Sequence, residues 1–379
     1  MNISNEADTL FEELVTIRRD LHRNPELGFE EYNTQKYIVN TLKELNADKI
    51  ELMADTGVKC VFMANDAAGT IAFRADMDAL PITEESKAVY RSCNEGRMHA
   101  CGHDAHTTIL LGVAKLLSSY KGRLRKNIIL IFQPAEEIGG AQKVVDENAL
   151  MNPKVDEIYG LHVWPDIRLG QLGLKAGRVM CSVCDFNIVI SGKGAHGAKP
   201  HEGNDALVAA SQLIMMLQTI ISRNIDPNEQ AVITVGRLEG GKSRNVICEQ
   251  VMLEGTIRVF NSSVFECINN RIRKIMDGIQ TAYGVKIQYS ATECYPPVIN
   301  SAELTEKTAV LFEASELVKV DPIMGSEDFS CYIQKVPGLY MFLGAGDEKH
   351  TEPLHSNKFD FDERALLNGL EVFKRIAGI

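Results

Sequence analysis

The segment MHACGHDAH, Met98 to His106, places three histidines, one cysteine and one aspartate within nine residues. Imidazole and thiolate are borderline-soft donors that suit zinc, cobalt, nickel or iron better than magnesium or calcium. A single glycine separates Cys101 from His103, so a tight turn brings both side chains to one point. One segment cannot enclose an ion, and the remaining donors must come from elsewhere. Candidates are Asp76 and Asp78 in RADMDALP, Glu136 and Glu137 in FQPAEEIGG, His162 in EIYGLHV and His355 in EPLHS. Two adjacent carboxylates beside an apolar strand repel each other unless a cation stands between them and solvent. A metal supplies that charge for one and leaves the other to carry a proton. Each cluster alone has an ordinary reading as a polar loop, a solvated helix start or a hydrogen-bonded histidine. Together they make a candidate metal site. His196 lies in the Gly-rich turn SGKGAHGAKPH, where glycines permit close approach of a ligand or partner. A phosphate-binding loop is excluded there, because no GK[ST] follows at the required spacing.

The elements that must position these groups are legible from periodicity. Leu10, Leu14, Ile17 and Leu21 mark a helix from Glu6 to about His22, and a second runs near 33–45. His22 reads as exposed or capping. GVKCVFMA and GTIAFRA read as strands, and 104–119 as a helix with Asp104 able to cap it. NIILIFQ is a continuous apolar run of the kind buried in a parallel sheet, and EIYGLHV is a further β-type run with His162 at its end. Strands alternate with helices, which predicts an α/β domain with a mostly parallel sheet and helices on both faces. Asp76, Asp78, Glu136, Glu137 and His162 all fall after strands, and ligand sites in open α/β sheets gather at strand carboxyl ends. Near Val179 the pattern changes to strand, helix, two strands, helix, strand, the split βαβ order of an inserted α+β domain. The expected division is residues 1–178 and 295–379 for the first domain and 179–294 for the insertion.

Length and charge bound the function. A chain of 379 residues fits two domains. A net charge of −11 repels phosphate backbones and argues against nucleic acid as a partner. No run approaches the roughly 18 apolar residues that span a bilayer. The opening MNISNEADTLFEELV lacks the pattern of a signal peptide. Nine cysteines, an odd number in a large chain, fit reduced thiols in the cytoplasm. Cys181 and Cys184 form a CxxC, but in a strand rather than at a helix N-terminus, which argues for packing over redox chemistry. A zinc deaminase is excluded, since its H-x-E and P-C-x-x-C signatures are missing. A non-catalytic binding protein is disfavoured by the intact glutamate pair.

DLHRNPELGFEEYNT, RADMDALP, MHACGHDAH, FQPAEEIGGA, GLHV, GKGAHGAKPH, GSEDFS and LHS follow one another in this order. In these motifs the chain resembles the amidohydrolase branch of the dinuclear metallopeptidases. That branch includes hippurate hydrolases, auxin-conjugate hydrolases and N-acetyl-diaminopimelate deacetylases, with aminoacylases and glutamate carboxypeptidases as wider relatives. The resemblance implies two divalent metals per subunit, zinc, manganese, cobalt or nickel, held by Cys101, His103, Glu137, His162 and His355. It implies Glu136 as general base, and Asp78, Asp104 and Asp76 as groups that orient the ligands. It implies a ferredoxin-like lid that makes a homodimer. From that lid, His196 would reach the partner subunit's site and stabilise the oxyanion. Asn245 and Arg258 would hold the scissile carbonyl and the substrate carboxylate. The implied reaction is hydrolysis of N-acyl amino acids, with a dipeptidase or carboxypeptidase on the same site as the alternative. Wider relatives begin the site with His-x-Asp; here Asp76-Met-Asp78 stands in its place, and Cys101 supplies the missing soft ligand.

Overall fold

In the computed structural model, which describes residues 1–291 and 295–379, the apolar runs form an eight-stranded sheet. Its centre is four parallel strands in the spatial order Asn127–Gln133, Thr70–Asp76, Glu157–Arg168 and Gly338–Gly346. Gly57–Phe62 and Lys49–Met53 extend one side antiparallel. Leu172–Leu174 and Leu317–Lys319 extend the other. These outer strands include three short ones with no apolar run to announce them, and only the longer segments are legible from sequence. Three of the four central strands are buried along their length, and Glu157–Arg168 is buried from Ile158 to Val163, which is why they read as apolar runs.

Successive strand residues point to opposite faces. Phe73 packs on Phe373 of the terminal helix Arg364–Ala377, ring centroids 4.6 Å apart. The next residue, Arg74, hydrogen-bonds Gln133 and Asp328 beside the short helix Ser330–Ile333. Both faces are therefore covered. The helix His103–Tyr120 is apolar nearly all round and sits in the core with Phe11–Arg23 and the terminal helix.

The chain divides into two compact units, Met1–Val179 with Ile299–Asp321 and Asp328–Ile379, and Met180–Val298 with Pro322–Glu327. The boundary expected at Cys294 lies outside the described residues. The second unit is a four-stranded antiparallel sheet in the order Lys286–Ala291, Ser182–Ser191, Gln250–Val259, Ala231–Gly240, with helices Ala206–Asn224 and Ser262–Tyr283 packed on it. The first of these helices is long and apolar enough to cross a membrane, yet a third of it is buried against its own sheet. Cys181 is a free thiol, whereas Cys184 is disulfide-bonded. The expectation of reduced thiols throughout fails at Cys184, and the CxxC is not itself a redox pair.

Candidate metal centre

Cys101 is the hub of the site. Its Sγ lies 3.3 Å from Nε2 of His162 and 3.3 Å from Nε2 of His355. His355 Nε2 is 3.6 Å from Glu137 Oε1. Donors held around one ion by bonds of about 2.0–2.3 Å stand roughly 3.5 Å apart at a tetrahedral angle. Two ligand groups, Cys101–His103–His162 and Cys101–Glu137–His355, share the thiol, and His103 also groups with Glu136 and Glu137.

Local backbone explains the convergence. Gly102 is left-handed, φ 85°, and a Cβ there would collide with Val163, so the chain turns sharply between Cys101 and His103. Ala135 is also left-handed, φ 56°, and starts the single turn Glu136–Ile138 that separates the two glutamates. His162 is not at a strand end, as expected from sequence. Its strand continues to Arg168, but the neighbouring strand stops pairing with it at Gly160, and this uncovers His162.

The imidazoles are set for metal binding by their outer hydrogen bonds. His103 Nδ1–H donates to the carbonyl and carboxylate of Asp78, at 3.0 and 3.1 Å. His162 Nδ1–H donates to the Val163 carbonyl at 2.7 Å. Each ring thus turns an Nε2 lone pair inward. His103 Nε2 and Glu137 Oε1 are buried with no hydrogen-bond partner among the described residues, as expected of donors reserved for a cation. The charges agree. Burial pushes the Cys101 thiol up and raises Glu137 to about 7. Burial pulls His103 down, but Asp76 and Cys101 outweigh it and hold the imidazole well above its usual range. The field at this point calls for positive charge, and a divalent cation supplies it. The donor set therefore fits a pair of metal ions.

Asp76 and Asp104 act one layer out. Asp76 accepts from Arg74 at 2.6 Å and from His106 Nδ1–H at 2.6 Å, while the Val163 N–H donates to His106 Nε2 at 2.9 Å. Both His106 nitrogens are used, so it braces the backbone beside His162. Asp104 does not cap its helix. It is buried between Arg18 at 2.9 Å and His22 at 2.8 Å, and these cations outweigh burial and hold its carboxyl far below the usual range. His22, expected at the surface, is buried because it lies on the apolar stripe of its helix and bridges Asp104 to Glu84. Arg18 gives no signal in the sequence, although it lies four residues from both Leu14 and His22 on one helix face.

His196, Asn245 and Arg258 lie in the second unit. The Gly197 N–H donates to the Asn245 carbonyl at 2.8 Å and His196 bridges to Val246, so His196 and Asn245 share one exposed loop pair. Arg258 donates to the Met324 carbonyl at 2.7 Å. It stands eight residues along a strand from Gln250, which pairs with Ser191 at the His196 end.

Residues 72–378 match the profile of peptidase family M20/M25/M40. The chain belongs to that family. It is 41% identical over 362 residues to the N-acetyl-L-cysteine deacetylase of Bacillus subtilis, covering 95% of this chain and 86% of that protein. It is 38% identical over 370 residues to the N-acetyldiaminopimelate deacetylase of Streptococcus uberis, covering 96% and 97%. Among solved structures, a dinuclear metal-binding M20 peptidase of Bacillus subtilis superposes with a TM-score of 0.84 at 34% identity, covering 98% of each chain. This M20 chain is a hydrolase of amide C–N bonds.

Proposed function

We propose that the Cys101-centred donor set carries out metal-dependent hydrolysis of N-acyl amino acids, releasing a carboxylate and a free amino acid. The observation that carries this reading is a buried thiol–imidazole–carboxylate cage with a second carboxylate at its rim. Glu136 Oε2 lies 4.0 Å from His103 Nε2. The deacetylase relatives support a small acyl group. Cys101, His103, Glu137, His162 and His355 would hold two divalent cations, which would acidify a water and polarise the substrate carbonyl. Glu136 takes the proton from the attacking water and returns it to the leaving amine. Asp78 keeps His103 in its working tautomer, and Asp76 and Asp104 hold the neighbouring backbone and charge. Zinc, cobalt and nickel suit the thiol and imidazoles, and manganese suits the carboxylates.

His196 completes the reaction by hydrogen-bonding the oxyanion. The Ala198 N–H donates to its Nδ1 at 3.1 Å, which leaves Nε2–H as an outward donor. Asn245 assists on the carbonyl side, and Arg258 pairs with the substrate carboxylate. Eight residues of strand at about 3.3 Å each put Arg258 far from the His196 loop, further than one N-acyl amino acid reaches. One lid therefore serves two sites, with His196 acting on the partner subunit's centre. Leu207, Val208, Met215 and Met216 are exposed on one helix, beside the unpaired edge of Ala231–Gly240, and form the surface for a second copy. Mixing inactive His196→Ala and Glu136→Gln subunits is expected to restore activity, one competent site per heterodimer. Heterodimers without activity would show each site to be self-contained. The cytoplasm is the proposed compartment, since Cys101 works only as a reduced thiol and Cys60, Cys93, Cys181, Cys248, Cys267 and Cys331 are free as well, Cys184 being the exception.

The test of substrate class is a panel of N-acetyl, N-benzoyl and long-chain N-acyl amino acids with dipeptides, assayed with each metal. N-acetyl amino acids are expected to give the highest kcat/KM. Cleavage of dipeptides alone would replace this reading with a dipeptidase.

A further inference from the structure

The motif ELGFEEYNT has no part in the reaction above, yet it touches both sides of the site. Its residues from Glu26 to Glu31 form a strap before the helix Tyr32–Glu44. At one end the Ala79 N–H donates to the Glu26 carbonyl at 2.8 Å, one residue after Asp78. At the other end the Ala135 N–H donates to Glu31 Oε1 at 2.8 Å, one residue before Glu136. Glu31 is wholly buried, and its second oxygen accepts from the Thr56 hydroxyl. A carboxyl side chain is rarely buried so completely unless its hydrogen bonds have a task.

The task lies in Ala135. A left-handed alanine is uncommon and persists only when its surroundings over-determine it. Here the surroundings are the Glu31 carboxylate and two glycines that leave room for the turn. A Cβ on Gly28 would stand 3.0 Å from Ala135 Cβ, and a Cβ on Gly140 would stand at the same distance. We propose that Glu31 is a positioning residue that clasps Ala135 in its left-handed conformation and so aims Glu136 at the water it deprotonates. Glu137 is held separately, its N–H donating to Asp78 Oδ2 at 3.0 Å. Loss of the clasp therefore moves the base more than the ligand. The proposal rests on Glu136 as the base.

Replacing Glu31 by alanine removes the acceptor for the Ala135 N–H. Glu31→Ala is expected to lower kcat about a hundredfold, because small misplacements of a catalytic group cost that much. Metal content is expected to stay at the wild-type level, with KM changed by less than about threefold. Adding Ala135→Gly is expected to recover about tenfold of the loss, because glycine adopts the left-handed conformation unaided. Recovery of kcat without a rise in Tm separates positioning from general stability. Unchanged kcat in Glu31→Ala, or a loss that Ala135→Gly does not repair, would overturn the proposal. Should Glu31→Ala fail to fold, amide exchange at Ala135 in the wild-type enzyme decides. Protection like that of the strand Asn127–Gln133 supports the clasp, and exchange at the free rate refutes it. That readout is independent of activity, so it separates failure of the clasp from failure of Glu136 as the base.

Discussion

Glu136→Gln is expected to retain its metal ions and to lose about 10²–10⁴-fold in kcat, the usual contribution of a positioned acid–base group. Glutamine keeps the shape of the side chain and its place in the turn after Ala135. It cannot accept the proton of the attacking water, nor return one to the leaving nitrogen. Ligand geometry should survive, since Cys101, His103, His162, Glu137 and His355 form the two shared groups without Glu136. The measurement is single-turnover hydrolysis of an N-acetyl amino acid beside elemental analysis of the same preparation. Turnover near the wild-type rate would remove Glu136 from the role of base.

What was legible in the sequence follows from the physics of each element. Central strands such as Asn127–Gln133 are buried on both faces and announce themselves as apolar runs. The three-residue strands Leu172–Leu174 and Leu317–Lys319 carry no period long enough to read. The ligands stood out because each is a donor type placed beside a recognisable strand or turn. Their supports did not. His106 reads as one more histidine until the fold sets its two nitrogens against Asp76 and the Val163 N–H. Glu31 lies 104 residues from the Ala135 it holds, and a hydrogen bond of that span leaves no local pattern. Asp104 is legible as a helix start, but its sequence position suggests a cap, because a cap is a local feature and its pairing with Arg18 and His22 is not. His162 looks like the end of its strand because Pro165 and Asp166 break the apolar run soon after it, although the strand itself continues to Arg168.

Cys101→Ala is expected to have the second large effect, on metal content before turnover. The thiol is common to both ligand groups, so its removal weakens both positions together. Losing even a group that only orients a ligand costs about 10–100-fold in metal affinity. Loss of a shared ligand should exceed that, and dialysed protein should hold less than one ion per chain, with activity falling in parallel. Alanine leaves the imidazoles of His162 and His355 without the donor that stands 3.3 Å from each. Wild-type stoichiometry in this variant would show that Cys101 is not a ligand.

Donors far apart in the chain are expected to close around two cations above the sheet. Anomalous X-ray scattering at the manganese edge, on crystals grown with that ion, tests it most directly. The expected result is two peaks about 3.5–4 Å apart, one against His103 and His162, the other against Glu137 and His355, with Cys101 Sγ contacting at least one. Peaks absent from this pocket in crystals of active enzyme, or one peak away from Cys101, would contradict it.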